Sequence, residues 1–147
     1  MCVICNILYG VEVYNNKYLI ESVHNAIDFD DMIVRKGAIR AYTNVKCIVS
    51  LNMRDSIVIC IGKFNSDWNF SGPHGLGRIL NRGRAKMKLR ISDFHKEMID
   101  VYSTSVCEKT IDESPMAYKD MEIVLNASKQ NIEIIEQLEP IINIKAV

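Results

Sequence analysis

The sequence predicts an α+β domain with mixed strands and helices, and three observations point to this class. Short runs of β-branched and apolar residues dominate its first part, as at residues 47–51 and 57–61. Segments of helical character follow later, as at residues 121–128. The 147 residues are 48% hydrophobic, with 18 basic and 18 acidic side chains and a mean hydropathy of +0.02. This composition is typical of one globular domain and excludes disordered and fibrous chains.

The first elements are two strands joined by a turn. Residues 47–51 and 57–61 are continuous apolar runs of the kind that form buried strands. Residues 52–56 between them contain Asn, Asp and Ser, which predicts a tight turn. Residues 64–77 are rich in Asn, Asp, Ser, Gly and Pro, and we therefore expect a loop there.

Three helices are expected in the later part. Residues 79–88 predict a helix that Gly83 weakens by about 1 kcal/mol relative to alanine. Ser92 has the character of an N-cap, and acidic side chains follow it in the first turn of a short helix over residues 93–99. Residues 121–128 predict the third helix.

The end of the chain is less regular. Residues 131–138 alternate isoleucine and leucine with acidic residues, a pattern that is compatible with either a strand or a helix. Residues 141–145 are mostly apolar and predict a final strand.

Location and redox state follow from simple features. The N-terminus has neither the basic region nor the apolar run of a secretory signal, and the longest apolar run, residues 57–61, is too short to cross a bilayer. We therefore expect a cytoplasmic protein without a membrane partner.

Five cysteines at irregular spacing predict reduced thiols. Cys2 and Cys5 have the spacing of zinc ligands but lack a second pair, which favours ordinary thiols.

The segment 71–78 is the most informative for function. Three glycines, Gly72, Gly75 and Gly77, surround His74, and glycines let backbone amides approach a ligand closely. Such a site suits phosphate, whereas the alternative is a glycine-rich turn with a surface histidine. His74 itself could act as a metal ligand, a general acid or base, or a nucleophile toward phosphorus. The spacing alone leaves these roles open.

Charge is segregated along the chain although the total is zero. Residues 78–90 contain six basic side chains and no acidic one, whereas from residue 112 onward seven acidic side chains face three lysines. The basic run could contact a nucleic-acid backbone or form a solvated helix face, and its position after the glycine segment favours phosphate contact. Trp68 and Phe70 could stack on a base or pack in the core.

A second histidine lies in an acidic context. His24 is followed by Asp28, Asp30 and Asp31, and histidine with carboxylates suits a divalent transition metal. A single histidine is more often a hydrogen-bonded structural residue, so both readings stay open.

Seven segments, read in order, resemble the C-terminal part of RtcB, a family of GTP-dependent RNA-splicing ligases. The resemblance covers residues 21–147 and implies the C-terminal portion of the RtcB fold, so residues 1–147 would form a single truncated catalytic domain. The segments are Glu21-Ser22-Val23-His24-Asn25, Arg35-Lys36-Gly37-Ala38-Ile39, Asn52-Met53-Arg54-Asp55, Asp67-Trp68-Asn69, Ser71-Gly72-Pro73-His74-Gly75-Leu76-Gly77-Arg78, Asp112-Glu113-Ser114-Pro115-Met116-Ala117-Tyr118-Lys119-Asp120 and Lys145-Ala146.

The resemblance implies an enzyme that joins an RNA 3'-phosphate or 2',3'-cyclic phosphate end to a 5'-hydroxyl end, with GTP and manganese as cofactors. A histidine attacks the α-phosphate of GTP, carries GMP as a phosphoramidate and passes it to the RNA 3'-phosphate. The 5'-hydroxyl then displaces GMP. RNA and GTP or GMP are the implied partners.

The implied roles fall on matching residues. His74 would be the nucleophile, and His24 would be a manganese ligand with Asn25 beside it at the nucleotide. Backbone amides of Gly75, Leu76 and Gly77 would line the phosphate. Residues 50–53 and Tyr118 would edge the guanosine pocket, and Lys145 would meet the guanine. In chain order these nucleotide-binding residues are Ser50, Leu51, Asn52, Met53, Gly75, Leu76, Gly77, Tyr118 and Lys145.

Two departures from the family pattern qualify the expectation. The family usually has alanine where Leu76 stands, so we expect this side chain to crowd the phosphate loop. The other manganese ligands of the family lie in an N-terminal part that the resemblance does not cover. The chain could therefore be one half of a ligase completed by a separately encoded N-terminal half, a non-catalytic fragment that binds GMP or RNA, or a truncated product without stable function.

Overall fold

The computed structural model describes Ile20 and residues 22–145, and this part has the predicted α+β architecture. It contains seven strands, three α-helices and three short 3₁₀-helices. The strands are β1 Asn25–Asp28, β2 Ile33–Lys36, β3 Ala38–Arg40, β4 Lys46–Ser50, β5 Ile57–Gly62, β6 Ser71–Pro73 and β7 Ile132–Leu138. The helices are α1 Arg82–Lys88, α2 Ile91–Glu97 and α3 Met121–Ser128, and the 3₁₀-helices are Ser66–Trp68, Glu108–Glu113 and Pro115–Ala117.

The largest sheet has three antiparallel strands in the order β4, β5, β7. Both apolar runs predicted as strands, residues 47–51 and 57–61, are confirmed, and residues 52–56 form the turn between them. The ambiguous residues 131–138 form a strand because β7 pairs with β5 from Ile132 to Leu138. A long-range pairing thus decides what the local pattern leaves open.

Two smaller sheets bring distant segments of the chain together. Strands β1 and β2 form an antiparallel hairpin, and β3 pairs with β6 in the register Ala38 opposite Pro73. Gly37 precedes Ala38 and His74 follows Pro73 in the sequence, so both lie at the same end of this small sheet. The register therefore fixes which groups meet at the histidine.

The helices differ from the predictions at their starts. Helix α1 begins at Arg82 rather than residue 79, because the amides of Ile79 and Leu80 donate to the carbonyl of Ala117 and the Asn81 side chain caps the helix. The prediction that Ser92 caps α2 is wrong, since Ile91 already belongs to that helix and Arg90 is its cap residue.

Helix α3 spans the predicted residues 121–128. The side chain of its cap residue Asp120 accepts a hydrogen bond from the amide of Ile123 at 3.1 Å, which satisfies one of the free donors of the first turn.

Two other expectations need correction. Residues 64–77 are not a loop throughout, because they contain the 3₁₀-helix Ser66–Trp68 and strand β6. Residues 141–145 do not form the predicted strand. Only a single bridge joins Ile142 to Tyr102, so the segment lacks the continuous pairing that a strand requires.

The core consists of two apolar clusters. The first lies under the three-stranded sheet and includes Val49, Val58 and Leu125. The second contains Met53, Phe94, Met98, Val101 and Ile111, and so packs helix α2 against the 3₁₀-helix Glu108–Glu113. The second cluster supports the segment that carries the acidic residues of the site described below.

No helix in the described residues is long and apolar enough to cross a membrane. Within the same part of the chain, Cys47, Cys60 and Cys107 are free thiols, as predicted. Cys2 and Cys5 lie outside the described residues.

Replacement of the fully buried Phe94 by alanine should lower the free energy of unfolding by about 3–5 kcal/mol, because a large cavity opens in the second cluster. The control is Ile99→Ala, since that side chain is exposed and the change should stay within about 0.5 kcal/mol. Urea unfolding monitored by circular dichroism measures both. Equal stabilities for the two variants would contradict the assignment of this core.

Candidate functional site

The segment around His74 is held by close backbone contacts with strand β4. The carbonyl of His74 accepts a hydrogen bond from the amide of Ser50 at 3.2 Å. A Cβ atom on Gly75 would lie 2.6 Å from the carbonyl oxygen of Ser50, which is inside van der Waals contact. Only glycine fits at position 75 without a shift of the backbone, so this glycine is a packing requirement of the loop.

The imidazole of His74 is oriented by one hydrogen bond. Its Nδ1 lies 2.6 Å from the carbonyl oxygen of Gly37. A carbonyl oxygen only accepts, so Nδ1 must carry the hydrogen. In the neutral ring, Nε2 then carries the lone pair. This is the tautomer that a nucleophilic or metal-binding Nε2 requires.

Gly37 joins this histidine to the segment of His24. Its amide donates to the carbonyl of His24 at 2.8 Å and to Oδ1 of Asn25 at 3.0 Å, while its own carbonyl receives the His74 hydrogen bond. Its φ of +67° favours glycine, and an added Cβ would lie 3.3 Å from Cε1 of His74. Gly37 lies in one of the segments that resemble the family, but its local sequence carries no signal of this role.

The rings of His24 and His74 stack. Their centroids lie 5.0 Å apart and their planes differ by 9°. Residues 50 positions apart in the sequence therefore share one site, and the Gly37 turn is what brings them together.

A cavity of about 860 Å³ opens beside the two histidines. Its volume lies within the roughly 300–1,000 Å³ of small-molecule sites. Most of the predicted site residues line it, namely His24, Ser50, Leu51, Asn52, His74, Gly75, Leu76, Gly77, Tyr118 and Lys145.

Two predicted site residues lie elsewhere. Met53 is buried in the second core cluster against Phe94 and is not part of the cavity wall, so the structure does not place it at the expected pocket edge. Asn25 is also absent from the wall of this cavity. Its side chain is exposed and supports the turn at Gly37.

That Leu76 crowds the loop stays a prediction, since this residue lines the cavity but is almost fully buried. Its side chain is buried in the first core cluster with Ile39 and Val49. The larger apolar group adds to the core, and the cavity beside the glycines stays open.

Glu113, which the sequence did not single out, organises another part of the cavity wall. Its carboxylate accepts hydrogen bonds from Tyr118 Oη at 2.8 Å and Lys145 Nζ at 2.6 Å, and it also pairs with Arg78. Burial raises the pKa of Glu113, but the hydrogen bonds from Lys145 and Tyr118 and the positive charges of Lys145 and Arg78 outweigh it, so the pKa falls below its ordinary value. Glu113 is thus held ionised.

Tyr118 is correspondingly held neutral. Burial, followed by its hydrogen bond to Glu113, raises the pKa of Tyr118 to about 12. The guanidinium carbon of Arg78 lies 4.8 Å from the centre of the Tyr118 ring. The phenol therefore keeps its hydrogen at neutral pH and donates it to Glu113.

The basic run is partly neutralised in the fold. Arg82 and Lys86 lie 3.6 and 3.7 Å from the carboxylate of Asp112, and Arg78 pairs with Glu113. These are the acids of the C-terminal part, so the charge segregation along the chain becomes local pairing in space. Phosphate contact by this run stays a prediction.

The described residues do not by themselves form a metal site. No group of three or more His, Cys, Asp or Glu side chains lies close enough in this part of the chain to hold an ion. Asp28 pairs with Arg35 and Arg40, and Asp31 pairs with Arg35, so these acids are not free ligands near His24. Asp30 is exposed. His24 could supply one ligand only.

Comparisons with known proteins agree on one family. The family model described as tRNA-splicing ligase RtcB matches residues 6–146. Two curated proteins of Escherichia coli, RNA-splicing ligase RtcB1 and RNA-splicing ligase RtcB of strain K12, are each 32% identical over 113 residues, or 77% of this chain. The chain spans about 28% of the length of these relatives.

The close contact at Gly75 predicts a contrast between two glycines. Gly75→Ala should destabilise the protein by about 1–3 kcal/mol, since the added methyl group meets the backbone of Ser50. Gly83→Ala, where the nearest atom to the new Cβ is 3.7 Å away, should be neutral or stabilising by up to about 1 kcal/mol within α1. Urea midpoints measure both, and equal effects would contradict the proposed packing.

Proposed function

Since the chain belongs to the RtcB family of tRNA-splicing ligases, we propose that it carries the nucleotide-accepting part of an RNA ligase site. The observation that supports this most strongly is the Gly37 hydrogen bond, which leaves the lone pair of His74 on Nε2 next to a glycine-lined cavity. His74 is then the nucleophile.

The first proposed step needs no base, because Nε2 of His74 carries a lone pair rather than a hydrogen. Nε2 of His74 attacks the α-phosphorus of GTP with its lone pair, an N–P bond forms, and the bond from the α-phosphorus to the bridging oxygen breaks. Pyrophosphate leaves, and GMP stays on His74 as a phosphoramidate. An oxygen of an RNA 3'-phosphate then attacks the phosphorus of GMP, which breaks the N–P bond and returns the lone pair to Nε2. The oxygen of a 5'-hydroxyl end finally attacks the RNA 3'-phosphorus and loses its proton to water, so that a phosphodiester bond forms and GMP leaves.

The cavity wall supports this assignment. Gly75 packs against Ser50 and Gly77 has a φ of +69°, a conformation that favours glycine, so the two glycines set the shape of the loop that lines the cavity. Tyr118 and Lys145 lie at the Glu113 wall, where an aromatic face and a donor suit a base. We therefore propose that the nucleotide spans the cavity from the glycine loop to this wall.

Manganese does not fit the described residues alone. With His24 as a single ligand, the ion would need further ligands from outside the described part of the chain. We propose that an N-terminal part of the family fold, encoded separately or upstream, completes the site. Full ligation of RNA is proposed for that complete assembly, and the cytoplasmic location stays a prediction.

A second candidate function is a non-catalytic fragment that keeps affinity for GMP or RNA. The absence of a metal cluster from the described residues favours it over an enzyme that works alone. Such a fragment would bind GMP in the same cavity but would form no covalent bond with it.

Incubation with manganese and GTP radiolabelled at the α-phosphate should label His74, because the lone pair is available there. We expect acid-labile, alkali-stable label on the wild type when an N-terminal part of a curated relative is supplied. His74→Ala should abolish it, and His95→Ala should retain it, since His95 lies on α2 away from the cavity.

The same experiment separates the two candidates. Absence of label from the wild type both with and without the added part would contradict the ligase proposal. Retained GMP binding in that case, measured by calorimetry, would support the non-catalytic fragment instead.

A further inference from the structure

We propose that Glu113 is a positioning residue of the nucleotide pocket, which holds Arg78, Tyr118 and Lys145 in the places where they meet the ligand. The inference rests on the proposed nucleotide-binding function. It starts from one observation, that a single carboxylate on the cavity wall is shared by three polar groups from separate segments of the chain.

The main chains of the three groups are fixed, since Arg78 and Tyr118 form an antiparallel bridge, but their side chains still need partners. Arg78 follows the glycine segment, Tyr118 ends a short 3₁₀-helix, and Lys145 belongs to the irregular C-terminal segment. The main chain of Lys145 is fixed by Ser105, whose hydroxyl bonds both its amide and its carbonyl at 3.1 and 3.0 Å. The long side chain still needs a partner to choose one conformer, and Glu113 provides it.

Glu113 is itself rigidly placed. It ends the 3₁₀-helix Glu108–Glu113, and the neighbouring Ile111 is buried in the second core cluster. The carbonyl of Asp112 accepts a further hydrogen bond from Arg78. The carboxylate is therefore anchored through the core, so it can fix the groups that contact it.

The groups at this wall indicate which part of the nucleotide contacts it. Arg78 and Lys145 are both paired with Glu113, Arg82 reaches within 4.0 Å of it, and Asp112 lies beside it. Glu113 carries one negative charge and faces two cations, Arg78 and Lys145, so one positive charge stays unbalanced there. The donors of these cations are fixed beside the Tyr118 ring, and a nucleobase can stack on such a ring while its edge accepts hydrogen bonds. This wall is where the proposed function places the base of the nucleotide.

A double-mutant cycle with a fluorescent GTP analogue tests the coupling between Glu113 and Lys145. Glu113→Gln keeps an acceptor for Tyr118 but loses the charge, and should weaken binding by about 10- to 100-fold. In a Lys145→Ala background the same change should cost several-fold less, because its main partner has gone. Glu136→Gln, an exposed glutamate of β7, should leave affinity unchanged.

The cycle gives distinct outcomes. Independent effects of the two substitutions, or unchanged affinity of Glu113→Gln, would overturn the positioning role while leaving nucleotide binding in place. A merely structural role would change affinity by the same factor in both backgrounds and appear in the urea midpoint. If the wild type fails to bind the analogue with manganese and the N-terminal part supplied, the proposed function itself fails.

Discussion

The hydrogen bond from Nδ1 of His74 to the carbonyl of Gly37 is the constraint on which the rest of the site depends. It exists because β3 and β6 pair in one register and because the chain turns at Gly37 with a positive φ. The Gly37 amide at the same turn donates hydrogen bonds to the carbonyl of His24 and to the side chain of Asn25. One glycine therefore sets the tautomer of one histidine and the position of the other.

A second constraint operates at the other wall of the cavity. Glu113 is anchored by the second core cluster. Its carboxylate forms ion pairs with Lys145 and Arg78 and accepts a hydrogen bond from Tyr118. The two walls differ in chemistry, since one offers open backbone and an imidazole lone pair and the other offers paired charges and an aromatic ring.

The sequence predicted the elements whose signals are local. Residues 47–51 and 57–61 carry enough apolar residues to identify buried strands, and residues 121–128 have their cap directly before them. It left residues 131–138 open between strand and helix, and their pairing with β5 decides for the strand. It was wrong for residues 141–145, which lack a pairing strand. Most site residues came from the family resemblance, but Gly37 and Glu113 show their importance only through contacts with residues far along the chain.

The most direct test of the account is the tautomer of His74. Long-range proton–nitrogen correlation spectra of the protein with ¹⁵N-labelled histidine, assigned by comparison with His74→Ala, distinguish a protonated Nδ1 from a protonated Nε2 in the neutral ring. The account predicts that Nδ1 carries the hydrogen and that Nε2 is unprotonated, because Gly37 offers only an acceptor. A neutral His74 protonated at Nε2 would contradict it, since the ring could then neither bond Gly37 nor attack phosphorus as proposed.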